Sequence, residues 1–178
     1  MKHIALLLLV AVVVVAGCTK EKKETTAGES VALPAVVNNP APDFSLSGTG
    51  GEVRLSALKG NLVLVHFWAT WCPPCREELP SLAKLNAQMA GKPFRLLAVS
   101  IDKDGNAAVQ KLFGQLNITL PVLLDPTADV ARHYGTTGVP ETFIVSPAGV
   151  ILKKIVGPME WTAPEVLAYL NDAMKAGN

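Results

Sequence analysis

Three cysteines in 178 residues are too few to staple a fold, which excludes a disulfide-built mini-domain. Charge of either sign is barely in excess: 16 Lys and Arg stand against 15 Asp and Glu, a formal net of +1. That balance gives no reason to expect nucleic acid or another polyanion as partner. Aromatic residues make up only 6% of the chain, but 49% of it is hydrophobic, enough for a real core. The length suits one domain with appendages, and no internal repeat is visible. One hydrophobic run is long, Ile4 to Ala16. It falls short of the roughly 20 residues that a membrane-spanning helix needs.

That run follows the short basic start MKH and ends in VVAGC, the pattern of a secretory signal. Small residues directly before Cys18 resemble the bacterial lipoprotein signal, in which the cysteine is lipidated and becomes the mature N-terminus. Residues 1–17 are then a signal peptide. Ordinary cleavage nearby would instead leave Cys18 a free thiol. The segment TKEKKETTAGES that follows mixes Lys and Glu with almost no apolar content, so residues 18–40 read as a flexible tether. As a coil of about 20 residues it would hold the domain on the order of 25 Å from a membrane. The expected location is extracytoplasmic, periplasmic or at the cell surface, attached through lipidated Cys18. Thr19 offers no acidic retention signal for the inner membrane.

Residues 41–178 carry the folded domain. NLVLVHFWA, Asn61 to Ala69, is nearly all apolar, as in a strand buried on both faces. Leu79, Leu82, Leu85 and Met89 recur at helical spacing. Further strands are expected at 44–46, 52–55, 94–101 and 120–124, and helices at 107–116, 128–134 and 164–174. A hairpin is expected across Pro147–Gly149. Alternating strands and helices predict an α/β sheet with parallel neighbours, made mixed by that hairpin.

Between the buried strand and the first long helix lies WCPPC, Trp71 to Cys75. A helix N-terminus presents unpaired N–H groups and the positive end of the helix dipole. Both favour a thiolate, the reactive form of cysteine. A second cysteine three residues on is within disulfide reach. In that arrangement Cys72 attacks a partner disulfide and Cys75 resolves the mixed disulfide. Pro73 and Pro74 have no N–H to offer the Cys72 sulfur, which leaves the Cys75 amide as its nearby donor. A moderate depression of the Cys72 pKa follows, nearer about 7 than about 3.5, and this favours a reductant.

FWATWCPPC, the proline Pro80 and the loop GVPETF, Gly138 to Phe143, resemble the thioredoxin superfamily, and within it the membrane-anchored TlpA/ResA-like thiol–disulfide oxidoreductases. The resemblance spans roughly residues 41–176. It implies a thioredoxin fold: a central mixed sheet flanked by helices, with an N-terminal strand extension and a central strand-helix insertion near residues 106–124. It also implies a cis bond at Val139–Pro140, where cis is nearly confined to X–Pro. In that family the loop faces the cysteines, and the backbone before the proline pairs with an extended substrate peptide. Substrate contacts therefore fall to Trp71, Pro73, Pro74, Val139 and Pro140. Glu78 stands where ResA-like proteins carry a glutamate that assists proton transfer; the alternative is a solvated helix glutamate. His66 stands six before Cys72, where thioredoxin has a buried aspartate and family members more often have Asn. A buried neutral imidazole there could exchange the Cys75 proton, or simply be a satisfied core histidine.

The implied activity is reduction of protein disulfides, with no cofactor beyond the Cys72–Cys75 pair. The implied partners are disulfide-bearing proteins, among them apocytochrome c with its CxxCH, and a membrane thiol transporter as electron donor. A monomer is expected. Copper-centre maturation or Cu(I) handling, and general disulfide formation or isomerisation, are the alternatives. Zinc would need four ligands in paired spacing, so no metal is expected. A peroxiredoxin-type peroxidase would need proline seven residues before Cys72, where Val65 stands. A purely structural bridge over so short a loop restricts the unfolded chain little.

Overall fold

The computed structural model describes residues 37–175. The expected signal peptide 1–17, Cys18 and the tether as far as residue 36 lie outside the described residues. Strands β1 (Ser45–Gly48) and β2 (Gly51–Arg54) form an antiparallel hairpin. β3 (Leu62–Trp68) follows, and all seven of its residues are buried. Helix α1 (Pro73–Gln88) comes next, then β4 (Phe94–Ser100), α2 (Asn106–Leu116), β5 (Val122–Leu124) and α3 (Asp129–His133). β6 (Glu141–Val145), β7 (Ile151–Val156) and α4 (Pro164–Lys175) complete the domain.

The seven strands make one sheet in the order β2-β1-β5-β4-β3-β6-β7. β3, β4 and β5 run parallel, β6 runs antiparallel to β3, and β7 runs antiparallel to β6. This is the mixed α/β sheet expected from the alternation, and it is a thioredoxin fold. The hairpin β1–β2 is the N-terminal extension, and α2 with β5 is the central insertion. Leu62, Leu64 and Trp68 of β3 pack with Leu79, Leu82 and Leu85 of α1 and with Leu170 of α4. Val63, Val65 and Phe67 point to the other face, against Tyr134 and Phe143. Both faces are covered, which is why β3 lacks the polar alternation of a half-exposed strand.

Two features were not expected. Backbone pairing begins before Ala41, as an isolated bridge between Pro40 and Val150: the Asn38 amide donates to Ile151 O at 2.8 Å, and the Ile151 amide donates to Asn39 O at 3.0 Å. The Ala41 amide donates to Gly149 O at 2.9 Å. The entering chain thus lies along the start of β7, the end away from Pro140. The second feature is the close approach of β1 to β5 at Gly48. A Cβ there would sit 1.9 Å from Val122 O, a backbone atom with no room to yield. Gly48→Ala is expected to lower stability by roughly 1–3 kcal/mol by overpacking. A urea midpoint unchanged from the parent protein would contradict this reading.

Candidate functional site

The buried strand β3 ends at Trp68, and the chain turns through Thr70 and Trp71 into α1. Asp102 holds that turn: its carboxylate accepts from the Thr70 amide at 2.9 Å, from the Thr70 hydroxyl at 2.6 Å and from the Ser100 hydroxyl at 2.7 Å. Cys72 is the N-cap of α1, with Pro73 and Pro74 in its first turn. Proline suits these positions because their N–H groups have no helical acceptor. The Cys75 amide lies 3.2 Å from Cys72 Sγ, and among the described residues it is the donor to that sulfur. The two cysteines are joined in a disulfide with Cα atoms 5.3 Å apart. Cys72 is 3% exposed and Cys75 is fully buried. Trp71, at 65% exposed, stands at the rim. Pro80 lies inside α1, as expected.

The loop before β6 meets the cysteines from the other side. Val139–Pro140 is cis, and Val139 O lies 3.4 Å from Cys72 Sγ. Among the described residues no backbone group pairs with the Val139 N–H or C=O. An extended peptide laid beside Val139 would find a donor and an acceptor there, with its sulfur against Cys72.

Under the disulfide, the structure brings Glu78 and His66 together. Glu78 lies one turn after Cys75 on the same helix and is 4% exposed, so the solvated-glutamate reading is wrong. Its Oε2 accepts from Trp161 Nε1 at 2.9 Å and from the Met159 amide at 3.1 Å. Its Oε1 faces His66 Nε2 at 3.5 Å. His66 is fully buried on β3, and its Nδ1 lies 2.8 Å from Thr142 Oγ1 on β6. Burial pushes the Glu78 carboxyl up to about 7, against the opposing pull of its bonds from Trp161 and Met159. Burial pushes His66 down to about 3, so the imidazole is neutral.

These shifts act on stability with opposite signs. Glu78, raised from 4.5 to about 7, makes the native state lose stability as pH rises through that window. His66, lowered from 6.5 to about 3, makes it gain stability as pH rises from about 3 to 6.5. The two offset one another where they overlap. Glu78→Gln should therefore expose a rising limb that reaches its plateau by pH 6.5, the ordinary value from which His66 departs. Urea denaturation across a pH series reads this directly, and a profile parallel to that of the parent protein would contradict it.

Three residues matter more than their sequence context indicates. Glu141, directly after Pro140, is fully buried and does not border solvent. Its Oε1 accepts from the Thr137 amide at 3.1 Å and hydroxyl at 2.8 Å, and its Oε2 lies 2.9 Å from Lys154 Nζ. Lys154 also donates to Gly135 O at 3.0 Å. Trp161 is buried and does more than pack α4, since its indole N–H holds Glu78. Nothing local in the sequence marks these residues. The one exception is the acidic residue that opens β6 directly after Pro140.

A helix-capping cysteine pair facing a cis-proline loop on this sheet can exchange electrons with another disulfide. The model of the Redoxin family matches residues 36–170. The chain belongs to the redoxin family. Among its relatives, the thiol-disulfide oxidoreductase ResA of Bacillus subtilis is 33% identical over 132 residues, covering 74% of this chain and 72% of the relative. A Chlorobium tepidum protein assigned as the thiol:disulfide interchange protein DsbE superposes with a TM-score of 0.71 at 31% identity, covering 79% of this chain and 99% of that one. The pneumococcal exposed lipoprotein thioredoxin Etrx1 from Streptococcus pneumoniae gives 0.63 at 29% identity, covering 73% and 98%. This redoxin is thus TlpA/ResA-like, and it is a thiol–disulfide oxidoreductase. Cys18 lies outside the described residues. Among the described residues no helix is long and apolar enough to cross a membrane, and no group of three or more His, Cys, Asp or Glu could hold a metal ion.

Proposed function

We propose that this redoxin reduces disulfides of extracytoplasmic proteins while held to a membrane by lipid on Cys18. The observation that carries the reducing direction is the poor solvation of the Cys72 sulfur. Pro73 and Pro74 withhold their amides, and among the described residues the Cys75 N–H at 3.2 Å is its one close donor. A thiolate so sparsely stabilised does not favour the reduced pair strongly, so the pair gives its electrons away.

The Cys72 thiolate attacks one sulfur of the substrate disulfide, and the other leaves as a thiolate. Glu78, raised to about 7, is present in both protonation states near neutrality. As carboxylate it takes the proton of the Cys75 thiol, with His66 beside it. The Cys75 thiolate then attacks Cys72 Sγ, which frees the reduced substrate and leaves the disulfide seen here. Trp71, Pro73 and Pro74 border the approach, and Val139 and Pro140 form the strip along which the substrate backbone lies. The ResA-like character supports apocytochrome c, whose CxxCH must be reduced before haem joins, as a substrate. It likewise supports a membrane thiol transporter as electron donor.

The reduction potential of the pair tests this reading, measured against a glutathione or dithiothreitol series. A value near or below about −250 mV is expected. A value near about −120 mV would make the protein a disulfide donor instead.

A further inference from the structure

Resting on that reading, one arrangement beneath the cysteines goes beyond it. His66 Nε2 and Glu78 Oε1 are both buried, face one another at 3.5 Å, and among the described residues have no hydrogen-bond partner. Every other polar atom of the two side chains is engaged. Glu78 Oε2 is held by Trp161 and Met159, and His66 Nδ1 by the Thr142 hydroxyl. The remaining pair of atoms can satisfy itself in two ways. With Glu78 as the acid, Oε1–H donates to Nε2, and Nδ1–H donates to Thr142 Oγ1. With Glu78 as the carboxylate, Nε2–H donates to Oε1, and the Thr142 hydroxyl turns to donate to Nδ1. A hydroxyl can both give and accept, so Thr142 serves either state.

We propose that His66 and Glu78 work as a one-proton pair in which the imidazole changes tautomer, without becoming imidazolium, each time Glu78 gains or loses its proton. The acid state carries hydrogens on Oε1 and Nδ1, and the carboxylate state carries one on Nε2. The two differ by the single proton that Glu78 exchanges with Cys75 or with water. His66 is a positioning residue here: it gives Oε1 a partner in both states, so the carboxyl can change charge without stranding a buried polar atom. A fixed donor or a fixed acceptor at this position would serve one state and penalise the other. The imidazole also links α1 to β6, because its Nδ1 partner Thr142 lies two residues after Pro140. The groups facing the pair are Thr142 from β6, Trp161 and the Met159 amide from the connection to α4, and Cys75 from α1. Of these, Cys75 is the one that can exchange a proton, and only once its disulfide with Cys72 is reduced.

Long-range imidazole nitrogen spectra of the full domain, taken from pH 5 to 9, read the tautomer directly. The expected result is an exchange of the protonated nitrogen from Nδ1 to Nε2 with a midpoint near 7, where Glu78 titrates. In Glu78→Gln the tautomer should stay constant across that range. A single fixed tautomer in the parent protein would overturn the proposal, and so would a doubly protonated imidazole within that range. His66→Leu, an apolar replacement suited to this buried site, keeps the test independent of Glu78→Gln. Its Glu78 carboxyl midpoint, followed by carbon NMR, should rise by on the order of one unit. His66→Gln, which both donates and accepts, should bring it back. Equal midpoints in the parent and His66→Leu would overturn the proposal. Failure of the functional reading would show elsewhere: a protein that switches tautomer but reduces no protein disulfide refutes the reductase and spares the pair.

Discussion

Serine in place of Cys75 will trap the protein on its substrates. Cys72 is the sulfur at the helix start, beside Val139 O, while Cys75 is fully buried. An incoming disulfide can therefore be attacked by Cys72 and not by Cys75. Once the mixed disulfide forms, its release depends on a second thiol held against Cys72, with Cα atoms 5.3 Å apart. Well-oriented intramolecular reactions reach effective molarities of about 10⁵ M and more. Even at a conservative 1 M or so, an external thiol at about 1 mM is roughly 10³-fold slower. Cys75→Ser should thus accumulate a covalent adduct, seen as a mass shift under non-reducing conditions and lost on adding dithiothreitol. Cys72→Ser should form none. An adduct in Cys72→Ser and none in Cys75→Ser would reverse the two roles.

The second large effect is expected far from either sulfur. Lys154→Met leaves the Glu141 carboxylate buried without its counter-charge. Breaking a fully buried ion pair costs about 3–5 kcal/mol. The Lys154 side chain is 26% exposed and that of Glu141 1%, so water offsets part of the loss. We expect about 2–3 kcal/mol, read by chemical denaturation. Glu141 also fastens Thr137, and Lys154 fastens Gly135. The segment from Gly135 to Pro140 therefore loses its Gly135 tie outright, and the carboxylate that holds Thr137 loses its partner on β7. The rate of mixed-disulfide formation with a protein substrate should fall more than the rate with a small disulfide, which has no backbone to lay beside Val139. The double variant Lys154→Met/Glu141→Gln removes the stranded charge and should regain most of the stability. A double variant no more stable than Lys154→Met would show that the charge was not the cause.

These two predictions differ in how far the sequence alone supports them. The cysteine pair and its place at a helix start were legible because their causes are local. A buried strand, a turn, two prolines and a helix start are contiguous in Phe67–Pro80, and each has a distinct residue pattern. GVPETF was legible for the same reason, and the α/β sheet followed from the alternation of periods. The lysine–glutamate tie was not legible. Glu141 and Lys154 meet because β6 and β7 pair in one register, and from composition alone a lysine near a strand end reads as solvated. Glu78 and His66 were named as candidates, but only the packing of α1 against β3 shows that they share a contact. The hold of Trp161 on Glu78 spans most of the domain, and Asp102 reaches Thr70 across two strands. Local pattern fixes where a residue sits along its element, whereas partner choice depends on how elements stack.

The way the chain enters the sheet has a consequence for geography. Residues 38–41 lie along the start of β7, beside Gly149 and Ile151, while Glu141 and Val156 pair at the other end of the hairpin, next to Pro140. The length of β7, close to 17 Å at about 3.3 Å per residue, separates the point of attachment from the thiols. The chain thus enters at the end of the hairpin opposite the thiols, so a bulky group joined just ahead of residue 38 should leave the attack of Cys72 on a protein disulfide unslowed.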